Sequence, residues 1–239
     1  MEGFLALGFL IGMQHALEAD HLAAVGALVD GQSGSRGRLV LRGAAWGLGH
    51  TITLFAICSA VILLGVNIST RLSTALEFSV GVMLFVLGID VLRRMRKKRI
   101  HFHVHAHKDK KPHVHAHSHG RSVQPHSEDP HVHQHVKGFP KKALLIGLMH
   151  GGAGSAGLLA LAVAATQQVS MALGYVFLFG IGSLVGMTTL TMIVSWPLGI
   201  VERNVTWIYQ GITYGAGIFA IGLGIVVMID NATFLSSVN

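Results

Sequence analysis

Six stretches of this chain, at 3–29, 40–66, 72–92, 143–166, 171–199 and 206–230, are apolar for long enough to cross a bilayer. A helix needs about 20 mainly apolar residues to span the hydrocarbon core. Inside lipid a segment must also satisfy its own backbone hydrogen bonds, so each run is expected to be a helix. Composition agrees: charged residues make up only 12% of the 239, where ordinary soluble domains carry roughly 25%. The expected fold is an all-α membrane protein with six transmembrane helices. Pro197 should end or kink the fifth of them. Cys58 stands alone, so neither an internal disulfide nor a Cys-rich zinc site is available. The first run has no basic residues ahead of it, unlike a cleavable signal peptide.

Positive charge is concentrated in one place. Thirteen of the 18 Lys and Arg lie between Arg93 and Lys142, against Asp109, Glu128 and Asp129. This charge sits on a loop and not on the face of a folded domain, so no nucleic-acid partner is expected. Basic loops stay in the cytoplasm. Arg93, Arg94, Arg96, Lys97, Lys98 and Arg99 follow the third run, and Lys141 and Lys142 precede the fourth. The first loop carries Arg36, Arg38 and Arg42, two crossings away, and gives the same orientation. Both termini should then face outward, in a multi-pass protein of the cell's inner or plasma membrane. The chain divides into a first membrane unit (1–92), a cytoplasmic loop (93–142) and a second membrane unit (143–239).

Residues 101–135 are low in complexity and hold 12 of the 16 histidines. These are His101, His103, His105, His107, His113, His115, His117, His119, His126, His131, His133 and His135. With few large apolar residues the segment cannot offset its chain entropy, and disorder is expected. Imidazole is a common ligand for late first-row metals, and the repeated H-x-H clusters suit metal buffering or sensing.

The other four histidines, His15, His21, His50 and His150, fall inside apolar runs. Ionisable groups at that depth are costly and usually face a bundle interior or a wet cavity. Around two of them the sequence reads His15-Ala16-Leu17-Glu18-Ala19-Asp20-His21. On a straight helix His15, Glu18 and His21 form one stripe, and Asp20 lies about 140° away from His15. Either the stripe binds an ion and Asp20 orients an imidazole, or the helix is unwound near Glu18–Asp20. His50 and His150 can close the site from other helices. Imidazole with a few oxygens suits Ni(II), Co(II) or Zn(II) better than Ca(II) or Mg(II).

The two halves also resemble each other. Gly12-Met13-Gln14-His15 reads against Gly147-Leu148-Met149-His150, Gly49-His50-Thr51 can be laid on Gly186-Met187-Thr188, and Glu77–Ile89 matches Thr213–Ile225. With three spans in each half, the copies would be inverted relative to one another, as in many secondary transporters. In the second copy Ala153 and Ser155 replace Glu18 and Asp20, within a glycine-rich run that permits close helix approach.

The segment His15–His21 resembles the H-x4-D-H signature of the nickel/cobalt transporter family, and Gly49-His50-Thr51 is similar to a glycine-histidine motif in that family's next helix. The chain also looks like the urease-accessory-type nickel permeases and the nickel/cobalt efflux proteins, which have a His-rich cytoplasmic loop. The resemblance implies transport of Ni(II) or Co(II), with Zn(II) also possible chemically, and a role for His15, Asp20 and His21 in it. It implies no prosthetic group and no enzyme activity. The partners implied are the bilayer, the divalent ion, and cytosolic metallochaperones or nickel-enzyme maturation factors. The H-A-L-E start is similar to the efflux branch and Asp20-His21 to the uptake branch; uptake by alternating access is the favoured expectation. A non-transporting metal sensor is a second reading. An intramembrane protease would have to rest on Gly154-Ser155, a pair that is ordinary helix packing.

Overall fold

The computed structural model describes residues 2–28, 36–65, 68–97, 100–105, 113–118, 139–153, 166, 168–204 and 206–237. The described elements are α1 (Glu2–His15), α2 (Ala19–Leu28), α3 (Arg36–Leu64), α4 (Thr70–Lys97), β1 (Ile100–His105), β2 (His113–Ser118), α5 (Lys141–His150), α6 (Val169–Asn204) and α7 (Thr206–Ser237). Among the described residues, four helical stretches are long and apolar enough to cross a membrane: Gly37–Leu64, Thr70–Arg96, Val169–Ser195 and Trp207–Thr233. They correspond to the second, third, fifth and sixth apolar runs. Large apolar side chains on their outer faces, such as Leu63, Val86, Ile193 and Ile218, are exposed, as a lipid-facing surface requires.

The first apolar run is two short helices and not one. After α1 the chain makes a tight turn, with the Leu17 amide donating to the Gln14 carbonyl (2.9 Å) and the Glu18 amide to that of His15 (3.1 Å). The Leu22 amide then donates to the Glu18 carbonyl (3.0 Å), which starts the ladder of α2. Ala16, Leu17 and Ala19 are strong helix formers, so the break is imposed by tertiary packing and not by local propensity. Of the fourth run, α5 ends at His150 and a turn covers Gly151 to Ala153; 154–165 lie outside the described residues.

Two further expectations are met only in part. Helix α6 passes through Pro197 and continues to Asn204, so the proline does not end it. Membrane helices accept an interior proline because neighbouring groups and local adjustments re-satisfy the one carbonyl it frees. Nor is 101–135 wholly without structure. Strands β1 and β2 pair antiparallel, with His101 opposite His117, His103 opposite His115 and His105 opposite His113. The alternation that spaces these histidines has period two, the period of a strand, and a ladder can form without a large core. The fold is therefore mainly helical with one small ribbon among the described residues. His107, His119, His126, His131, His133 and His135 lie outside the described residues.

Helices from the two membrane units interleave. Helix α4 pairs with α7, α3 with α6, α1 with α6 and α5 with α3, and α2 lies on α7 and α4. Glycines set how closely these pairs approach. A side chain at Gly12 would strike the Phe179 backbone, and one at Gly147 the Trp46 backbone. A side chain at Gly182 would meet Phe9 and Met13, and one at Gly49 would meet Leu144 and Leu148. In each comparison the α1 and α5 partners differ by 135 in number, and the α3 and α6 partners by 133. By these contacts Gly49 corresponds to Gly182, one helical turn before the Gly186 expected from sequence. Trp46-Gly47-Leu48-Gly49-His50 then lies on Phe179-Gly180-Ile181-Gly182-Ser183. Gly81 and Gly88 of α4 likewise meet Gly224 and Gly217 of α7. At the basic end Asp90 pairs with Lys142 of α5 (2.6 Å) and with Arg94 (3.4 Å). Arg94 also donates to the Ala27 carbonyl at the end of α2 (3.2 Å).

Candidate metal centre

The break in the first run decides where its polar residues go. His15 is the last residue of α1, Asp20 and His21 stand in the first turn of α2, and Glu18 lies in the turn between. His50 comes from the middle of α3, and His150 is the last residue of α5. These four histidines, far apart in sequence, form one cluster of rings. The His21 ring centroid is 4.2 Å from that of His150, 4.6 Å from His15 and 5.3 Å from His50. His15 and His50 are also 5.3 Å apart. His21, His50 and His150 are fully buried.

The carboxylates hold the imidazoles by one nitrogen each. Asp20 receives His21 Nδ1 on Oδ1 (2.9 Å) and His150 Nε2 on Oδ2 (2.8 Å), and Oδ1 also accepts the His21 backbone amide (2.8 Å). Glu18 Oε1 receives His15 Nδ1 at 2.8 Å. An ionised carboxylate can only accept, so each of these ring nitrogens carries the proton. The other nitrogen of each ring is thereby left with a lone pair. Those nitrogens, His15 Nε2, His21 Nε2 and His150 Nδ1, are buried and have no hydrogen-bond partner among the described residues, and both nitrogens of His50 share that state. Buried polar atoms without partners are rare and call for an explanation. Here the unpartnered atoms are imidazole nitrogens, a kind of atom that can ligate a metal. Ligand atoms of His15, His21 and His50 all lie within 4.8 Å of one another, and so do those of Asp20, His21 and His150.

All six sequence-derived residues, His15, Glu18, Asp20, His21, His50 and His150, therefore meet at this one place. Glu18 differs from the rest in that 58% of its side chain is exposed. The straight-helix stripe of His15, Glu18 and His21 does not exist, because the helix ends between them. Two aromatic neighbours escaped the sequence reading. Trp46 is fully buried, with its ring 5.7 Å from that of His21 and 6.3 Å from that of His150. Phe179 lies 5.3 Å from the His15 ring. The parallel between W-G-L-G-H and F-G-I-G-S was the available signal for Trp46 and Phe179. Ser155 lies outside the described residues.

Comparison with known proteins matches residues 2–233 to a family described as NicO, high-affinity nickel-transport protein. The chain is similar to the urease accessory protein UreH of Bacillus sp. (strain TB-90), at 33% identity over 202 residues, covering 84% of this chain and 80% of that protein. No solved structure matches it.

Proposed function

Because the chain belongs to the high-affinity nickel-transport family, we propose that it carries Ni(II) or Co(II) across the membrane through the four-histidine centre. The observation that carries this reading is the set of buried imidazole nitrogens without partners, each of three rings being turned by a carboxylate. A carboxylate on the far nitrogen fixes the tautomer and raises the basicity of a histidine ligand. Nε2 of His15 and His21 and one nitrogen of His50 are the ligands proposed for the ion, with His150 completing the site from the other half. Asp20 and Glu18 hold the rings. A nitrogen-rich set of this kind favours Ni(II), Co(II) or Zn(II) over alkaline-earth ions.

Six crossings arranged as two inverted three-helix units, 1–92 and 143–239, are the proposed architecture. The matched glycine contacts of α1 with α6 and of α5 with α3 support it. The ion then sits where broken helices from both units end, near the midplane, and is released as the units rock. The basic residues of 93–142 put that loop in the cytoplasm and both termini outside. Its histidines receive or buffer the ion, in exchange with cytosolic metallochaperones. Uptake is the proposed direction.

The test is Ni(II) and Co(II) flux into proteoliposomes, comparing the wild type with His15→Ala and Asp20→Asn. Flux in the wild type that both variants abolish is expected. Binding of Ni(II) without flux in the wild type would replace this reading with a metal sensor.

A further inference from the structure

Between the histidines and the end of the bundle where α1 begins, the space among α1, α3 and α6 is filled by a second buried cluster. Its members are Leu54, Cys58, Tyr175, Val176 and Phe179. Phe179 lies against the His15 ring, at 5.3 Å. Tyr175, one turn earlier on α6, stacks on Phe4 at 4.7 Å. At about 1.5 Å rise per residue, Phe4 lies roughly 16 Å along α1 from His15. The aromatic column therefore runs along that whole stretch of α1. Leu54 and Cys58 stand about one and two turns beyond His50 on α3. An ion leaving the imidazoles toward this end meets Phe179 first and Tyr175 next.

Two features of the column bear on how firmly it is shut. Glycines seat it: a side chain at Gly8 would meet the Tyr175 ring, and one at Gly12 the Phe179 backbone. The second feature is the Tyr175 hydroxyl, which is buried and has no hydrogen-bond partner among the described residues. A phenylalanine would fill the same space without that cost. A hydroxyl buried among apolar side chains costs free energy that contact with water would remove, so it weighs against the closely packed arrangement and in favour of one that admits water.

We infer that Phe179 and Tyr175 form a gate between the histidine centre and the end of the bundle where α1 begins, shut in this structure, with the Tyr175 hydroxyl poising it to open. The inference rests on the transport reading.

Cys58, the chain's single cysteine, lies in the column and can report its opening. In proteoliposomes, reaction with a membrane-impermeant maleimide, added separately to each side, should be slow in the wild type. Phe179→Ala should speed it roughly tenfold from one side only, which corresponds to about 1.4 kcal/mol in the balance of shut and open. Tyr175→Phe keeps the ring and should slow both labelling and Ni(II) flux, with equilibrium Ni(II) binding unchanged. Wild-type labelling in Phe179→Ala with Ni(II) binding intact would overturn the gate, and so would faster labelling in Tyr175→Phe. If the wild type carries no nickel while labelling responds as described, the transport reading fails and the gate stands.

Discussion

Asp20 touches two histidines from different helices, and that makes it the most sensitive single position at the centre. One carboxylate oxygen faces His21 Nδ1 and the other faces His150 Nε2. In Asp20→Asn the amide nitrogen must replace one of those oxygens and can only donate, against a ring N–H that also donates. One imidazole then loses its orientation. Nickel affinity should fall about 10- to 100-fold, the usual effect of losing a partner that orients a metal-bound histidine. Glu18→Gln should cost less, because the Glu18 side chain is largely exposed and water can replace its contact with His15. Titration calorimetry of the purified protein with Ni(II) orders the two; a larger loss in Glu18→Gln would contradict the roles assigned here. His50 has no carboxylate partner among the described contacts, and its two bare nitrogens make it a residue whose role comes from position alone.

At the scale of elements, glycine decides how near the helices come. The Cβ of an alanine at Gly12 or Gly147 would overlap backbone of the facing helix, which cannot move aside as a side chain can. Overpacking of this kind costs typically about 1–3 kcal/mol, so Gly12→Ala and Gly147→Ala should each lower thermal stability in detergent. Gly211 has nothing within 4 Å of an added Cβ, and Gly211→Ala should change stability by less than about 0.5 kcal/mol. A gain in stability at all three positions would mean that helix propensity, which favours alanine over glycine, and not contact governs them. The same reasoning explains why the sequence alignment slipped in the α3–α6 comparison. Gly182 and Gly186 lie one turn apart on one face of α6, and only the contacts of Gly182 with Phe9 and Met13 mirror those of Gly49 with Leu144 and Leu148.

At the scale of the whole molecule, the ribbon and the helical bundle use histidine in different ways. In the bundle, histidines from four helices meet in one cluster; in the ribbon, β1 and β2 set histidine opposite histidine by strand register. Removing residues 101–135 should therefore reduce the number of nickel ions bound per chain, and leave flux through the buried centre measurable. Loss of all flux in that deletion, with normal amounts of protein in the membrane, would show that the loop is part of the path. Among the described residues the two parts of the bundle meet in the part-buried Asp20–His150 contact (2.8 Å). At the basic end the exposed Asp90–Lys142 pair adds a contact of the kind worth about 1 kcal/mol or less.

The sequence by itself determined the helical membrane architecture, because the bilayer demands apolar runs of a set length and no other structure satisfies their backbones. It also determined the composition of the centre, since His15, Asp20, His21, His50 and His150 are conspicuous in lipid wherever they point. Where they point was a tertiary matter. Nothing in Ala16-Leu17-Glu18-Ala19 breaks a helix, so the turn that separates His15 from His21 had to come from the packing of α1 and α2 against α6 and α7. Which nitrogen of each imidazole is left bare depends on carboxylates whose reach is fixed only by that turn. The place of Phe179 and Tyr175 between the histidines and one end of the bundle is likewise a contact between distant segments. Apolar residues in a membrane helix look alike in sequence, and only their neighbours tell lipid-facing from gate.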